Sequence, residues 1–195
     1  MRFELDELQL DAQDTIRKIV QEDDALDRLD EFGAFDPTLV VVTFYELGMA
    51  GVAVPEHRYG AHPALAAAAQ LVGLGRGMLT MTVDYVKERK QFGVPVGSFQ
   101  AVKHQLADAL KELSFARPAV WRAAHTLAPI DISMAKALAS DAAAFTARRA
   151  LQCHGAIGYT VEYDLHRYLK QTWTLARSYG DAAHHRELIA KELHI

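Results

Sequence analysis

The sequence predicts an all-α chain, an up-and-down four-helix bundle with a small N-terminal helical appendage. Apolar residues recur every three or four positions along most of its 195 residues, the spacing of a helix that buries one face. Val, Ile and Thr never alternate with polar residues for long enough to build a sheet, and no Asn-Gly or Asp-Gly hairpin signal occurs. Short connections between long periodic segments make successive helices antiparallel neighbours.

Taken in order, a first helix is expected over about residues 5–22, where Leu8, Ala12, Ile16 and Ile19 keep helical spacing. A charged connector follows from Gln21 to Asp30. Pro37 suits the first position of a second helix, with Asp36 as its N-cap, ending near Met49. Residues 50–63 carry two glycines and two prolines and break the pattern, so the chain divides into an N-terminal segment, 1–60, and a bundle, 61–195.

Within the bundle a long helix is expected from about Ala64 to Lys90, stopped by Gly93-Val94-Pro95. Ser98 is the expected cap of the next, in which Phe99, Val102, Leu106, Leu110 and Leu113 share a face and Pro118 kinks or divides the helix before about Ala128. A third spans about Ile132 to Gln152 and stops at Gly155. A fourth covers about Val161 to Ser178, and a last short one runs from about Asp181 to His194.

Composition excludes several roles. Half the residues are apolar, enough for a sizeable core, and 21 basic against 25 acidic residues leave a net charge of −4, mixed along the chain. That balance provides no basic patch for nucleic acid and no polybasic membrane arm. The acidic opening, Met-Arg-Phe-Glu-Leu-Asp-Glu, is unlike a signal peptide, and no uninterrupted apolar run reaches bilayer length. The single cysteine, Cys153, excludes an intrachain disulfide and reads as a small buried hydrophobe. A soluble, cytoplasmic protein is the expectation. None of the nine histidines has metal-ligand spacing. His184 and His185, adjacent on a helix, point about 100° apart and read as solvated or interface groups.

Two blocks carry chemistry. The first is Tyr85-x-x-x-Arg89-x-Gln91-Phe92-Gly93, followed by Phe99-Gln100 and Leu106-Ala107-Asp108. Spacing alone permits a blander reading, in which Arg89 complements the dipole at a helix C-terminus and Phe92 plugs a bundle end. The second is Gln152-x-x-Gly155-Ala156-x-Gly158-Tyr159-x-x-Glu162, with Arg167 beyond. In this order the two blocks resemble the signatures of the acyl-CoA dehydrogenase family, and Phe44 to Gly60 is similar to that family's opening short helix and loop. The resemblance covers nearly the whole chain discontinuously. Where Gly60 meets Ala61, the family carries further helices and a β-domain that seats the flavin ring, and this sequence has none of it.

The resemblance implies an oxidoreductase that dehydrogenates an acyl-CoA thioester between its α and β carbons with FAD, and a tetrameric or otherwise oligomeric assembly with each flavin between two subunits. It implies that Arg89 reaches the flavin pyrophosphate of a neighbouring subunit, with Phe92 packed nearby and Gln91 and Gln100 in the same run. A guanidinium suits that task because its planar fork stays charged and matches phosphate oxygens. It also implies that Gln152 and the backbone of the Gly155-Ala156 turn lie against the adenosine end of that nucleotide. Two departures stand out: Ala156 where a second glycine is usual, and Gln171 where an acid is usual.

The family's reaction needs a desolvated carboxylate as base. Counting from Gln152 puts Tyr179 at the usual base position, in Ser178-Tyr179-Gly180, and a phenol is protonated at neutral pH. The alternative position used by some members falls at Pro63, with Glu56 and His57 in the loop before it. Asp181 is the one acid beside the usual site, and it reads as the cap of the last helix. The expectation is therefore a chain without its own base that completes a partner subunit's FAD site and is inactive alone. The other reading is a non-enzymatic helical scaffold derived from the same fold.

Overall fold

The computed structural model describes residues 63–195. The expected N-terminal segment, with Glu56 and His57, lies outside the described residues. Five α-helices occur among the described residues: α1 (Pro63–Glu88), α2 (Gln100–Thr126), α3 (Pro129–His154), α4 (Leu165–Arg177) and α5 (Ala182–Glu192). The first four run alternately up and down as expected, and α5 packs back onto α3.

α3 is the hub. Its buried positions include Ala135, Ala137, Ala139, Ala142, Ala143, Ala147 and Ala150, small residues that let neighbouring backbones approach from several sides. Leu65, Leu71, Val72 and Leu74 of α1, Leu113 and Val120 of α2 and Leu175 of α4 complete the main core. A second cluster near the other end joins Met78, Leu165 and Leu169 to Ala147 and Ala150. Full burial of a leucine such as Leu71 or Leu165 contributes on the order of 2 kcal/mol. α1 is, by length and composition, apolar enough to cross a bilayer, which the sequence reading did not anticipate, but most of that stretch is buried inside the bundle.

Several helix ends differ from expectation. Phe99, not Ser98, occupies the N-cap of α2; the Ser98 hydroxyl instead donates to the Pro95 carbonyl at 2.7 Å and closes the preceding turn. α2 continues through Pro118 without dividing, because its neighbours in the bundle hold both halves. α3 starts earlier than expected, at Pro129, whose fixed φ suits a first helical turn. α4 starts later, at Leu165, since residues 155–159 form a 3₁₀ turn. Two predicted caps are present: Gly155 ends α3 with φ 66°, and the Asp181 carboxylate accepts the His184 amide at 2.9 Å.

A short ribbon also occurs where no hairpin signal was read. Lys90–Gln91 (β1) pairs antiparallel with Val94–Pro95 (β2), with Gln91 opposite Val94. Phe92 and Gly93 turn the corner with φ of 52° and 81°, the geometry of a tight hairpin turn that asparagine usually supplies at the first position. Phe92 fills that position, so the sequence signal was hidden.

Candidate functional site

The C-terminal ends of α1 and α3 lie together. Tyr85 stacks on His154 with ring centroids 4.5 Å apart, and the Tyr85 hydroxyl donates to the His154 carbonyl at 3.4 Å. Tyr163 closes the aromatic group, 4.8 Å from His154. His154 is buried there; burial lowers its pKa, while a hydrogen bond to the Ala150 carbonyl partly opposes that. This cluster brings the two sequence blocks to one end of the bundle.

Around it, Arg89, Gln91, Phe92, Gln100, Gln152, Gly155 and Ala156 are all exposed. Arg89 immediately follows α1, its amide bonded to the Tyr85 carbonyl, and its own carbonyl accepts the Val96 amide at 2.7 Å, which folds the ribbon back. Its guanidinium makes no ion pair among the described residues. Phe92, 92% exposed, meets Phe99 edge to face at 6.3 Å. An aromatic ring held in water at a turn tip loses the burial that normally accounts for a phenylalanine, and this favours a surface that another molecule covers.

The second block lies at the C-terminal end of α3. Gln152 sits on the last turn of α3 and Gly155 caps it; a Cβ placed on Gly155 would meet nothing within 4 Å. Open space in front of a left-handed glycine is a backbone surface free for close approach by a ligand. Ala156 lies in the 3₁₀ turn and is not among the left-handed residues, so the change from glycine leaves that turn intact. Together these residues present a guanidinium, three primary amides, an aromatic pair and a bare turn, a donor set that fits a phosphate-containing aromatic nucleotide such as FAD.

Tyr179 lies elsewhere. It follows α4 with φ 59°, and Gly180 follows with φ 92°. Among the acids beside this turn, Asp181 is committed to capping α5. Backbone hydrogen bonds from His184 and Ala183 hold its carboxyl below the ordinary range. Pro63, at the other candidate base position, is the first residue of α1. His185 departs from the solvated reading: it is buried, and its Nε2 lies 3.0 Å from the Tyr179 carbonyl. Sequence reasoning also passed over Lys136, which is fully buried with its ammonium beside the same turn. Its signal was present in Ile132, Ala139 and Ser140, which place Lys136 on the buried face at helical spacing.

An all-α bundle that gathers these two signature blocks at one end has the architecture of an acyl-CoA dehydrogenase C-terminal domain. The family profile described as acyl-CoA dehydrogenase, C-terminal domain, matches residues 51–194, and the chain belongs to this FAD-dependent family. Its relatives include acyl-CoA dehydrogenase IpdE2 of Mycobacterium tuberculosis, 41% identical over 108 residues, which span 55% of this chain and 34% of that protein. Glutaryl-coenzyme A dehydrogenase, in a structure with glutaryl-CoA, superposes with a TM-score of 0.66 at 33% identity, covering 68% of this chain and 35% of that one. The ChsE4-ChsE5 complex of Mycobacterium tuberculosis gives 0.63 at 32% identity, covering 67% and 37%. The chain thus spans about a third of the length of the relatives it matches.

Proposed function

We propose that this chain is part of an FAD-dependent acyl-CoA dehydrogenase, that it lacks its own catalytic base, and that its Arg89–Gln152 end completes the FAD site of a partner subunit in a homo- or hetero-oligomer, a tetramer by analogy with the family. The observation that carries this reading is the separation of what is kept from what is lost. The exposed group of Arg89, Phe92, Gln152 and Gly155 is assembled around Tyr85 and His154, whereas the base position carries Tyr179.

In this reading Arg89 holds the pyrophosphate as a planar cation, Phe92 and Phe99 exclude water from it, and the Gln152 amide and Gly155 turn meet the adenosine. Bound flavin supplies the acceptor for the hydride that leaves the β-carbon. The proton on the α-carbon needs a carboxylate, which the partner subunit contributes. A related solved structure is itself a complex of two differently named chains, which agrees with a divided site. Tyr179 at the base position also favours a second reading, a non-enzymatic scaffold that binds no flavin.

The test is a visible absorbance spectrum of the chain purified alone and with any chain that co-purifies from its source. Flavin bands in the complex only, and weakened there by Arg89→Ala with helix content unchanged, are expected. Flavin retained in full by the Arg89→Ala complex would refute the role of Arg89, and no flavin in either preparation would leave the scaffold.

A further inference from the structure

We propose that Lys136 is the positioning residue for the turn that presents residue 179, tying the carbonyls on either side of that residue to the central helix. The inference rests on the reading of Ser178-Tyr179-Gly180 as the turn of the base position. It concerns a residue that contacts neither the Arg89 end nor any group assigned above.

The geometry is complete in itself. The Lys136 ammonium donates to the Gly180 carbonyl at 2.9 Å, the Ala176 carbonyl at 3.1 Å and the Ser140 hydroxyl at 3.2 Å. Three N–H donors meet three acceptors, and the side chain is fully buried. Ala176 lies in the last turn of α4, where helix carbonyls have no partner within the helix, so the ammonium also serves as a cap. The two successive left-handed residues, Tyr179 and Gly180, are held from two sides: Lys136 takes the Gly180 carbonyl, and His185 lies against the Tyr179 carbonyl. A non-glycine residue stays left-handed only when its surroundings over-determine it, and here two helices supply the restraint.

The bond is also expected to respond to protonation. Burial lowers the pKa of Lys136 to about 8, with the Asp181 carboxylate acting in the opposite direction. The titratable groups coupled to it are Asp181, which caps α5, and His185 of α5; His184 acts on those two, and Tyr179 lies in the turn itself. A neutral amine keeps two N–H donors for three acceptors, so one bond is lost when it deprotonates.

Gly180-Asp181 is the one Gly-Asp peptide in the sequence. Labelling glycine with carbonyl ¹³C and aspartate with ¹⁵N therefore isolates the Gly180 carbonyl that accepts from Lys136, by direct carbon detection in the full chain or its complex. Its shift should pass through a single transition with a midpoint of about 8. The transition should persist in Tyr179→Phe and vanish in Lys136→Arg, which stays charged, and in Lys136→Met. A Gly180 carbonyl shift at pH 7 that is the same in the wild type and in a folded Lys136→Arg or Lys136→Met chain would overturn the proposal, because the bond from Lys136 to that carbonyl would then be absent. So would a Lys136→Arg chain that still shows the transition. None of these readings depends on flavin: a titrating carbonyl in a chain that never acquires flavin keeps Lys136 in its role and removes the dehydrogenase reading alone.

Discussion

Gly180→Ala tests the turn at residue 179 from a second direction. With φ of 92°, any L side chain at this position is strained, by about 1–2 kcal/mol. Its Cβ would fall 2.5 Å from Cδ2 of His184 and 3.0 Å from Nε2 of His185, so both rings must move. His184 is exposed and can turn away for about 1 kcal/mol of rotamer cost. His185 is buried beside the Tyr179 carbonyl, and displacing it weakens that contact by about 1 kcal/mol. The sum, about 3–4 kcal/mol, corresponds to a fall in Tm of roughly 6–16 °C for a chain of this size. Thermal unfolding followed by helix circular dichroism is the assay. His184→Ala in the same background should recover only the share due to that ring, about a third, because the backbone strain stays. A Gly180→Ala melting within about 2 °C of the wild type would refute the argument, since it would mean that the turn has another conformation available at no cost.

Three further outcomes are expected. Asp131 is buried and accepts Arg122 Nε at 2.9 Å and the Thr126 hydroxyl at 2.7 Å, clasping the end of α2 to the start of α3; Asp131→Ala should cost about 1–2 kcal/mol in chemical denaturation, at the low end because both donors can turn to water. His154 has a folded pKa lowered by burial, so the unfolded chain binds more protons below the ordinary value of 6.5; stability should fall as pH drops through that window, and a denaturation series on His154→Phe, which keeps the stack on Tyr85, should show a flatter dependence. In a complex that retains flavin, Tyr179→Glu should raise acyl-CoA dehydrogenation above the level that the partner's own carboxylate supports; no gain with flavin bound would mean that the site beside this turn does not admit acyl chains.

The bundle was legible because its signals are local and periodic. α1, α2 and α3 carry apolar stripes of 26 or 27 residues, and Gly155 and Asp181 announce their caps. Gathering of the two blocks at one end followed from the alternating directions of the helices. The ribbon at Lys90–Pro95 was not legible, because Phe92 adopts a left-handed conformation for which phenylalanine has no preference; contacts with Phe99 and the Arg89 carbonyl bond to Val96 impose it. Nor was the role of Lys136 legible, since its three acceptors come from Ser140 and from residues forty positions and more downstream. Ser98 shows the converse: a residue with strong capping preference can spend its hydroxyl on a neighbouring turn instead.

Because α3 carries Gln152 near one end and Lys136 near the other, it acts as a ruler. Sixteen residues of unbroken helix set these positions about 24 Å apart, with every intermediate turn locked by alanine contacts. Whatever is held at the Arg89 end is therefore kept at a fixed spacing and a fixed angle from the residue-179 turn. Inserting a single residue midway along α3 would lengthen the ruler by about 1.5 Å but rotate one end against the other by about 100°, a change of phase far more disruptive than the change of length. Inserting seven would nearly restore the phase and leave an error of about 10 Å in spacing, so the two kinds of error can be produced separately in one helix.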